Sequence, residues 1–197
     1  MARYKPPRRM PPRRRRLGRT DYRSRLALVK SGKPRLVIRR TNRYIITQLI
    51  EPRRGGDYTA LTVTSKMLTK HGWIGGLKSL PAAYLTGLAA GRMALAKGYV
   101  EAAVDIGRHT SHKGSRLFAA VKGAVDAGLS IPVGEEVFPA EERLRGNHIK
   151  EYSEMDRSGH SASQFVKTPA DFLSNLPQLF EEIKQRILSQ SPGPNLG

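Results

Sequence analysis

The sequence predicts an α/β layer fold in the order β-β-β-α-β-α, with a basic, disordered arm in front and a helical extension behind. Three observations carry that prediction. Three β-branched runs follow one another between residues 34 and 64, the apolar spacing then changes to the helical period, and a further β-branched run separates two helical stretches. Alternating strands and helices that must bury their apolar faces on one another give layers of this kind.

The arm covers residues 1–19. Its densest part is Arg8-Arg9-Met10-Pro11-Pro12-Arg13-Arg14-Arg15-Arg16, in which like charges repel and prolines deny a helix, so it reads as extended and disordered. A helix follows, capped by Thr20 or Asp21, with Leu26, Val29 and Tyr22 on its apolar side and Gly32 at its end. The run 34–40, the polar break Thr41-Asn42-Arg43 and the run 44–50 form a β-hairpin. A turn over 52–57 leads to a third strand, 58–64, and completes an antiparallel meander.

Ser65 opens a short turn ending at Gly72-Trp73. A longer helix starts at Ser79 and Pro81 and stops at Gly98, with Leu80, Tyr84, Leu88 and Leu95 as its stripe and Leu85, Ala89 and Met93 beside it. Gly87 and Gly91 stand at a small-residue spacing that would let this helix pack closely on the sheet. Residues 100–106 read as a buried strand, and 115–127 as a helix with Leu117, Val121, Ala124 and Val125 inward and Gly128 at its end. A short strand at 129–133 and a polar helix over 140–152 close the core domain, 20–152. A strand, helix and strand in succession require a right-handed crossover, so the fourth strand should run parallel to one meander strand, a layout of the ribonuclease-H-like kind. Residues 153–197 then supply a serine- and glycine-rich linker, an amphipathic helix and a loose tail from 191. The helix starts at Thr168-Pro169-Ala170-Asp171, carries Phe172, Leu176, Leu179, Phe180, Ile183 and Ile187, and is split or kinked by Pro177.

Charge narrows the function. The 197 residues carry 35 Lys and Arg against 16 Asp and Glu, a net charge of +19. Residues 1–54 hold 19 of those bases and 2 of the acids, so nearly all of the excess lies in the first quarter of the chain. Most of these bases are arginines, whose guanidinium forks match phosphate oxygens and stack on bases, and the pattern points to nucleic acid ahead of a membrane surface or an acidic protein. The longest uncharged stretch with an apolar run, 79–91, has 13 residues, short of the roughly 18–20 that a spanning helix needs. The first residues lack the apolar centre of a secretory signal, and the absence of cysteine excludes disulfides, thiolate zinc sites and a cysteine nucleophile.

A ribonuclease-H-like layout raises the alternative of a metal-dependent nuclease, which needs several converging carboxylates, one of them usually on the first strand. The first strand offers Arg35, Arg39 and Arg40 and no acid, and the lone Asp105 on the fourth strand reads as a strand-end, loop-bonding residue. His109 and His112 have only Asp105 as a nearby third ligand and read as loop histidines. The stretch from Gly107 to Ser115 lacks the Gly-Lys-Ser/Thr order of a phosphate loop. The loop 108–116 is better read as an anion contact, since it is rich in bases and hydroxyls and precedes a helix N-terminus.

The residues also carry a resemblance. Arg19-Thr20-Asp21-Tyr22-Arg23-Ser24-Arg25-Leu26, Ser31-Gly32-Lys33-Pro34-Arg35-Leu36-Val37, Thr41-Asn42-Arg43, Gln48, Gly56-Asp57 and Gly72-Trp73 are the first part of it. Ala83-Tyr84-Leu85-Thr86-Gly87-Leu88, Val104-Asp105-Ile106-Gly107, Gly114-Ser115-Arg116-Leu117-Phe118-Ala119, residues 122–129, Ile131-Pro132 and Gly146-Asn147-His148-Ile149 follow in order. Over about residues 13–152 the chain resembles the universal ribosomal large-subunit protein family L-eighteen in its archaeal form, whose eukaryotic counterpart is L-five. The family usually has Ser where this chain has Thr41, and the hydroxyl is kept.

The resemblance implies a non-enzymatic protein, without cofactor, metal or small-molecule substrate and with no membrane role. Its implied partners are 5S ribosomal RNA, large-subunit ribosomal RNA and neighbouring ribosomal proteins of the central protuberance. Arg8 and Arg9 are RNA-binding candidates on the charge of the arm, and the positions the resemblance implies begin with Arg13, Arg14, Arg15, Arg16 and Arg19, then Tyr22 and Arg23. They continue through Lys33, Arg35, Arg39, Asn42, Arg43 and Gln48 of the hairpin region to the loop residues Lys113, Gly114, Ser115 and Arg116. Arginines suit phosphates, Asn and Gln suit base edges or 2′-hydroxyls, and Tyr suits stacking.

Overall fold

The computed structural model describes residues 10, 11, 13–157 and 168–189. The three β-branched runs become β1 (Arg35–Arg40), β2 (Ile45–Arg53) and β3 (Gly56–Thr64), an antiparallel meander, and β4 (Ala103–Asp105) adds to β1 in parallel, giving the order β3-β2-β1-β4. Side chains alternate across the sheet, so Leu36, Ile38, Ile45, Leu49, Leu61 and Val63 line its core face while Ile46, Gln48 and Ile50 lie half-buried on the other. Ala60 is the extra residue where the β2–β3 register shifts, and its carbonyl accepts from Lys97 Nζ at 2.6 Å.

The fourth strand is shorter than the expected 100–106. Val100 is exposed, Glu101 makes a single parallel bridge to Ser130, and only residues 103–105 pair with β1. Pro34 supplies the reason. Its carbonyl accepts from Ala103 N at 2.8 Å, but it has no N–H with which to carry the ladder further.

The described part of the arm departs from an extended chain. Arg13–Arg16 form one turn, α1, closed by Leu17 N to Arg13 O and Arg19 N to Arg14 O, with Gly18 at φ +61° turning the chain. Proline is tolerated in a first helical turn, and here the prolines precede the four arginines instead of interrupting them. Arg8 and Arg9 lie outside the described residues. Helix α2 (Tyr22–Lys30) is capped by Asp21, whose carboxylate accepts from Arg23 N, Ser24 N and Ser24 Oγ. Its expected apolar side is only partly covered: Val29 and Tyr22 are half-buried, but Leu26 points outward.

Helix α3 (Leu80–Ala96) is buried on almost every side, between the sheet, α4 (Arg116–Asp126) and the C-terminal helices. A Cβ on Gly87 would stand 1.9 Å from Ala120 O, and one on Gly123 2.1 Å from Tyr84 O. The small residues therefore bring α3 against α4, and not against the sheet as the spacing suggested. Gly87 faces Ala120 and Gly91 faces Ala124, so the two helices run parallel and start at the same end of the molecule.

The expected polar helix over 140–152 is two helices, α5 (Glu141–Arg145) and α6 (Asn147–Arg157). Gly146 breaks them at φ +89°, where a Cβ would strike Leu176 Cδ2 at 2.4 Å. The linker residues 158–167 and the tail lie outside the described residues. The C-terminal stripe splits as Pro177 predicts, into α7 (Ala170–Ser174) and α8 (Leu176–Ser189). Leu176, Phe180, Ile183 and Ile187 are buried against the chain's own core, where Phe172 meets Trp73 edge to face at 5.5 Å and Phe180 lies 5.4 Å from Tyr84. Burial and a hydrogen bond to Asp126 push the Tyr84 phenol well above its ordinary range, so it serves there as a neutral donor. No helix among the described residues is long and apolar enough to cross a membrane.

Candidate nucleic-acid interface

The ion pairs divide the basic residues into two groups. One group is bound to two carboxylates of the sheet, Asp57 and Asp105. Arg35, 3% exposed, donates from Nη1 to Asp105 Oδ2 at 3.0 Å and from Nη2 to Asp57 Oδ2 at 2.6 Å, and Arg25 joins Asp57 at 2.8 Å. Arg39 donates from Nη2 to Asp105 Oδ1 at 3.0 Å and from Nη1 to the Asp105 and Ile38 carbonyls. Asp105 Oδ1 also accepts from Gly107 N at 2.8 Å. Asp105 is thus the hub that closes the end of β4 onto β1, the loop-bonding role read from the sequence. Among the described residues no cluster of three or more His, Cys, Asp or Glu is placed to hold a metal.

Lys33 pairs with Glu101, Lys113 with Glu136 at 3.0 Å, and Arg53 with Glu51 at 3.0 Å, all at the surface. Such exposed pairs contribute little, about 0–1 kcal/mol each, and open readily to a better anion.

The second group has no carboxylate partner among the described residues and includes Arg13, Arg14, Arg15, Arg16, Arg19, Arg23, Arg40, Arg43 and Arg116. Arg14 Nε donates to Thr20 Oγ1 at 3.0 Å, which anchors the arm's helical turn to the start of α2. Arg108 donates to the Gly18 carbonyl and fastens the same segment to the loop after β4. Two clefts of about 730 Å³ each flank this junction, one reaching Arg14, Arg19, Arg25 and Arg35, the other Arg15, Tyr22 and Arg23. Asp21 lies between them, its carboxyl held below the usual carboxylate range by the Ser24 hydroxyl, the Ser24 and Arg23 N–H groups and Arg108.

The hairpin tip is built by Thr41. Its hydroxyl accepts from Tyr44 N and donates to Tyr44 O, both at 2.9 Å, while Thr41 N also donates to Tyr44 O. The tight loop leaves Asn42 and Arg43 exposed at its apex. A Ser hydroxyl could make the same bonds, which is why Thr serves at this position. Arg40 N donates to His109 Nε2 at 3.4 Å, and burial together with Arg40 and Arg39 holds that imidazole's pKa below its ordinary value. His109 is therefore a neutral acceptor. Gln48 Nε2 donates to Thr62 Oγ1 at 3.1 Å on the open sheet face, and Gly114, at φ +68°, turns the chain before Ser115 and α4.

Comparison with known proteins settles the family. A family model described as ribosomal large subunit proteins 60S L5 and 50S L18 matches residues 7–104. A large ribosomal subunit protein uL18 of Methanothermobacter thermautotrophicus is 49% identical over 177 residues, covering 89% of this chain and 92% of its own. Those of Korarchaeum cryptofilum and Caldivirga maquilingensis are each 47% identical, over 92% and 90% of this chain and 94% and 89% of their own. The chain belongs to this ribosomal L5/L18 family.

Within this L5/L18 chain, the structure gathers Arg13, Arg14, Arg15, Arg16, Arg19, Tyr22 and Arg23 around one junction and presents Asn42 and Arg43 at a second point. It buries Arg35 between Asp57 and Asp105, and it pairs the partly exposed Arg39 with Asp105. Sequence reasoning missed Arg25 and Asp57, which complete the Arg35 network, and Arg40, exposed beside the hairpin tip. It also missed Arg143 and His148, which share a cavity with Arg116.

Proposed function

We propose that this chain is a non-catalytic, structural protein of the cytoplasmic large ribosomal subunit that binds 5S ribosomal RNA and helps attach it to large-subunit ribosomal RNA in the central protuberance. The observation that carries this reading is the run of arginines from Arg13 to Arg23 without carboxylate partners among the described residues, in a chain whose residues 55–197 hold 16 Lys and Arg against 14 Asp and Glu. The α/β layers, in a ribonuclease-H-like arrangement, act as a rigid mount. The first strand bears Arg35 and Arg39, and their network with Asp57 and Asp105 fixes the surface to which the arm and α2 are attached. The arm's arginines bind phosphates and lie between RNA segments, and Tyr22, Asn42 and Gln48 supply stacking and base-edge or 2′-hydroxyl contacts. Lys33 and Lys113 exchange their surface carboxylates for phosphate. Neighbouring ribosomal proteins are the further partners, and neither a small-molecule substrate nor a membrane enters the role.

Equilibrium binding against salt tests it. The chain is expected to prefer folded 5S RNA over duplex DNA of equal length at moderate salt, whereas equal affinity for both would favour a DNA-compacting protein. Deleting residues 1–16 removes eight Lys and Arg. Every phosphate that the shortened chain no longer neutralises should flatten the slope of log K against log salt by about 0.7–0.9. The unfolding midpoint should stay unchanged, because no residue of α1 is buried. A deletion that unfolds the domain would show that the arm is part of the core.

A further inference from the structure

Where the parallel helices α3 and α4 both begin, a cavity of about 510 Å³ opens that shares only Arg116 with the interface above. Trp73, Phe172, Ile149 and Leu176 give it an apolar wall, and Arg116, Arg143 and His148 also line it. Among the described residues no Asp or Glu lines it, and neither arginine pairs with a carboxylate. Trp73 is 2% exposed, and among the described residues neither its Nε1–H nor His148 Nδ1 has a hydrogen-bond partner. Buried polar atoms are nearly always satisfied, so two such atoms on residues that line one cavity point to a polar occupant. Neither α3 nor α4 has an acidic residue in its first turn, and Ser115 caps α4 without a side-chain bond. Two aligned helix dipoles add to the positive potential there, which selects an anion.

We propose that this cavity receives a single unstacked nucleotide of the bound RNA, its phosphate held by Arg116 and Arg143 and its base laid against the apolar wall of Phe172 and Ile149. The proposal rests on the RNA-binding reading and deepens it. An anion alone would need only the arginines, whereas the apolar wall beside them matches a base carried on a phosphate. The volume lies within the range of sites that enclose small ligands.

Trp73 is the single tryptophan of the chain, so its emission reports directly on the cavity. The full chain is titrated with adenosine 5′-monophosphate, with inorganic phosphate and with adenosine. The nucleotide is expected to change Trp73 emission saturably and to bind at least about tenfold more tightly than inorganic phosphate or adenosine. Arg143→Ala, at an exposed position, should weaken the nucleotide about tenfold or more with an unchanged unfolding midpoint. Unchanged emission up to millimolar nucleotide, phosphate binding as tightly as the nucleotide, or an acidic peptide binding more tightly than either would overturn the proposal. Retention of 5S RNA on filters is followed in parallel. Retained 5S RNA with no nucleotide response would sink the cavity proposal alone, while lost preference for 5S RNA would sink the reading beneath it.

Discussion

Replacing Asp105 with alanine is expected to destabilise the folded chain by about 3–5 kcal/mol, because it strands the buried guanidinium of Arg35. Asp105 accepts from Arg35, Arg39 and the Gly107 N–H, and only Asp57, more exposed, would remain for Arg35. For a domain of this size, that loss lowers the thermal midpoint by about 6–20 °C. Urea unfolding of the full chain measures it. A loss below about 1 kcal/mol would mean that the network is screened like a surface pair. The double replacement Arg35→Met with Asp105→Leu should recover much of the stability, since an apolar pair of similar volume removes both stranded charges. The same single variant tests the nuclease alternative: RNA cleavage by the parent chain, abolished in a still-folded Asp105→Ala variant, would revive it.

Gly87→Ala is the second large effect, and here two rules oppose each other. Helix propensity alone predicts a gain of about 0.8–1.0 kcal/mol, because glycine is a poor residue for a helix interior. The close approach of the two helices predicts the reverse. The new Cβ would stand 1.9 Å from the Ala120 carbonyl oxygen, 2.7 Å from its carbon and 2.8 Å from its Cα, all backbone atoms of α4. No rotamer change relieves such a clash, so α3 and α4 must separate and the packing around Leu88, Val121 and Ala124 must open. The expected cost is about 3 kcal/mol or more, at the upper end of overpacking effects. Gly134→Ala, with nothing within 4 Å of its Cβ and an ordinary φ of −70°, is the control and should stay within about 0.5 kcal/mol of the parent. A stabilised Gly87→Ala variant would show that the two helices are not in backbone contact.

The fold's element order was legible because each strand and helix announces its own period. The β-branched runs at 34–40, 44–50 and 58–64 and the stripe of the long helix need no tertiary information, and the handedness rule then makes β4 parallel to a meander strand, which proves to be β1. What depended on partners was not legible. The spacing of Gly87 and Gly91 marks a close approach without naming α4 as its object. The length of β4 is set by Pro34 across the sheet. The polar stretch after residue 140 has a glycine that ends a helix at Gly146, but too little apolar periodicity to show that a second helix follows. The site divides in the same way. Charge density marks the arm, and a β-turn pattern marks Asn42 and Arg43. The burial of Arg35 is a matter of register, since Asp57 and Asp105 arrive from different strands. The cavity at the shared end of α3 and α4 draws Trp73, Arg116, Arg143 and His148 from separate segments, and nothing in local sequence brings these together.

The central claim is that these unpaired arginines hold 5S ribosomal RNA within the large subunit, and stepwise dissociation of native ribosomes measures it most directly. Large subunits are washed with rising salt, and each step is assayed for this chain and for 5S RNA. The chain is predicted to leave in the same step as 5S RNA and to travel with it as a complex at the lower end of that salt range. Release of 5S RNA while the chain stays on the remaining subunit, or recovery of the chain only as free protein, would contradict the account.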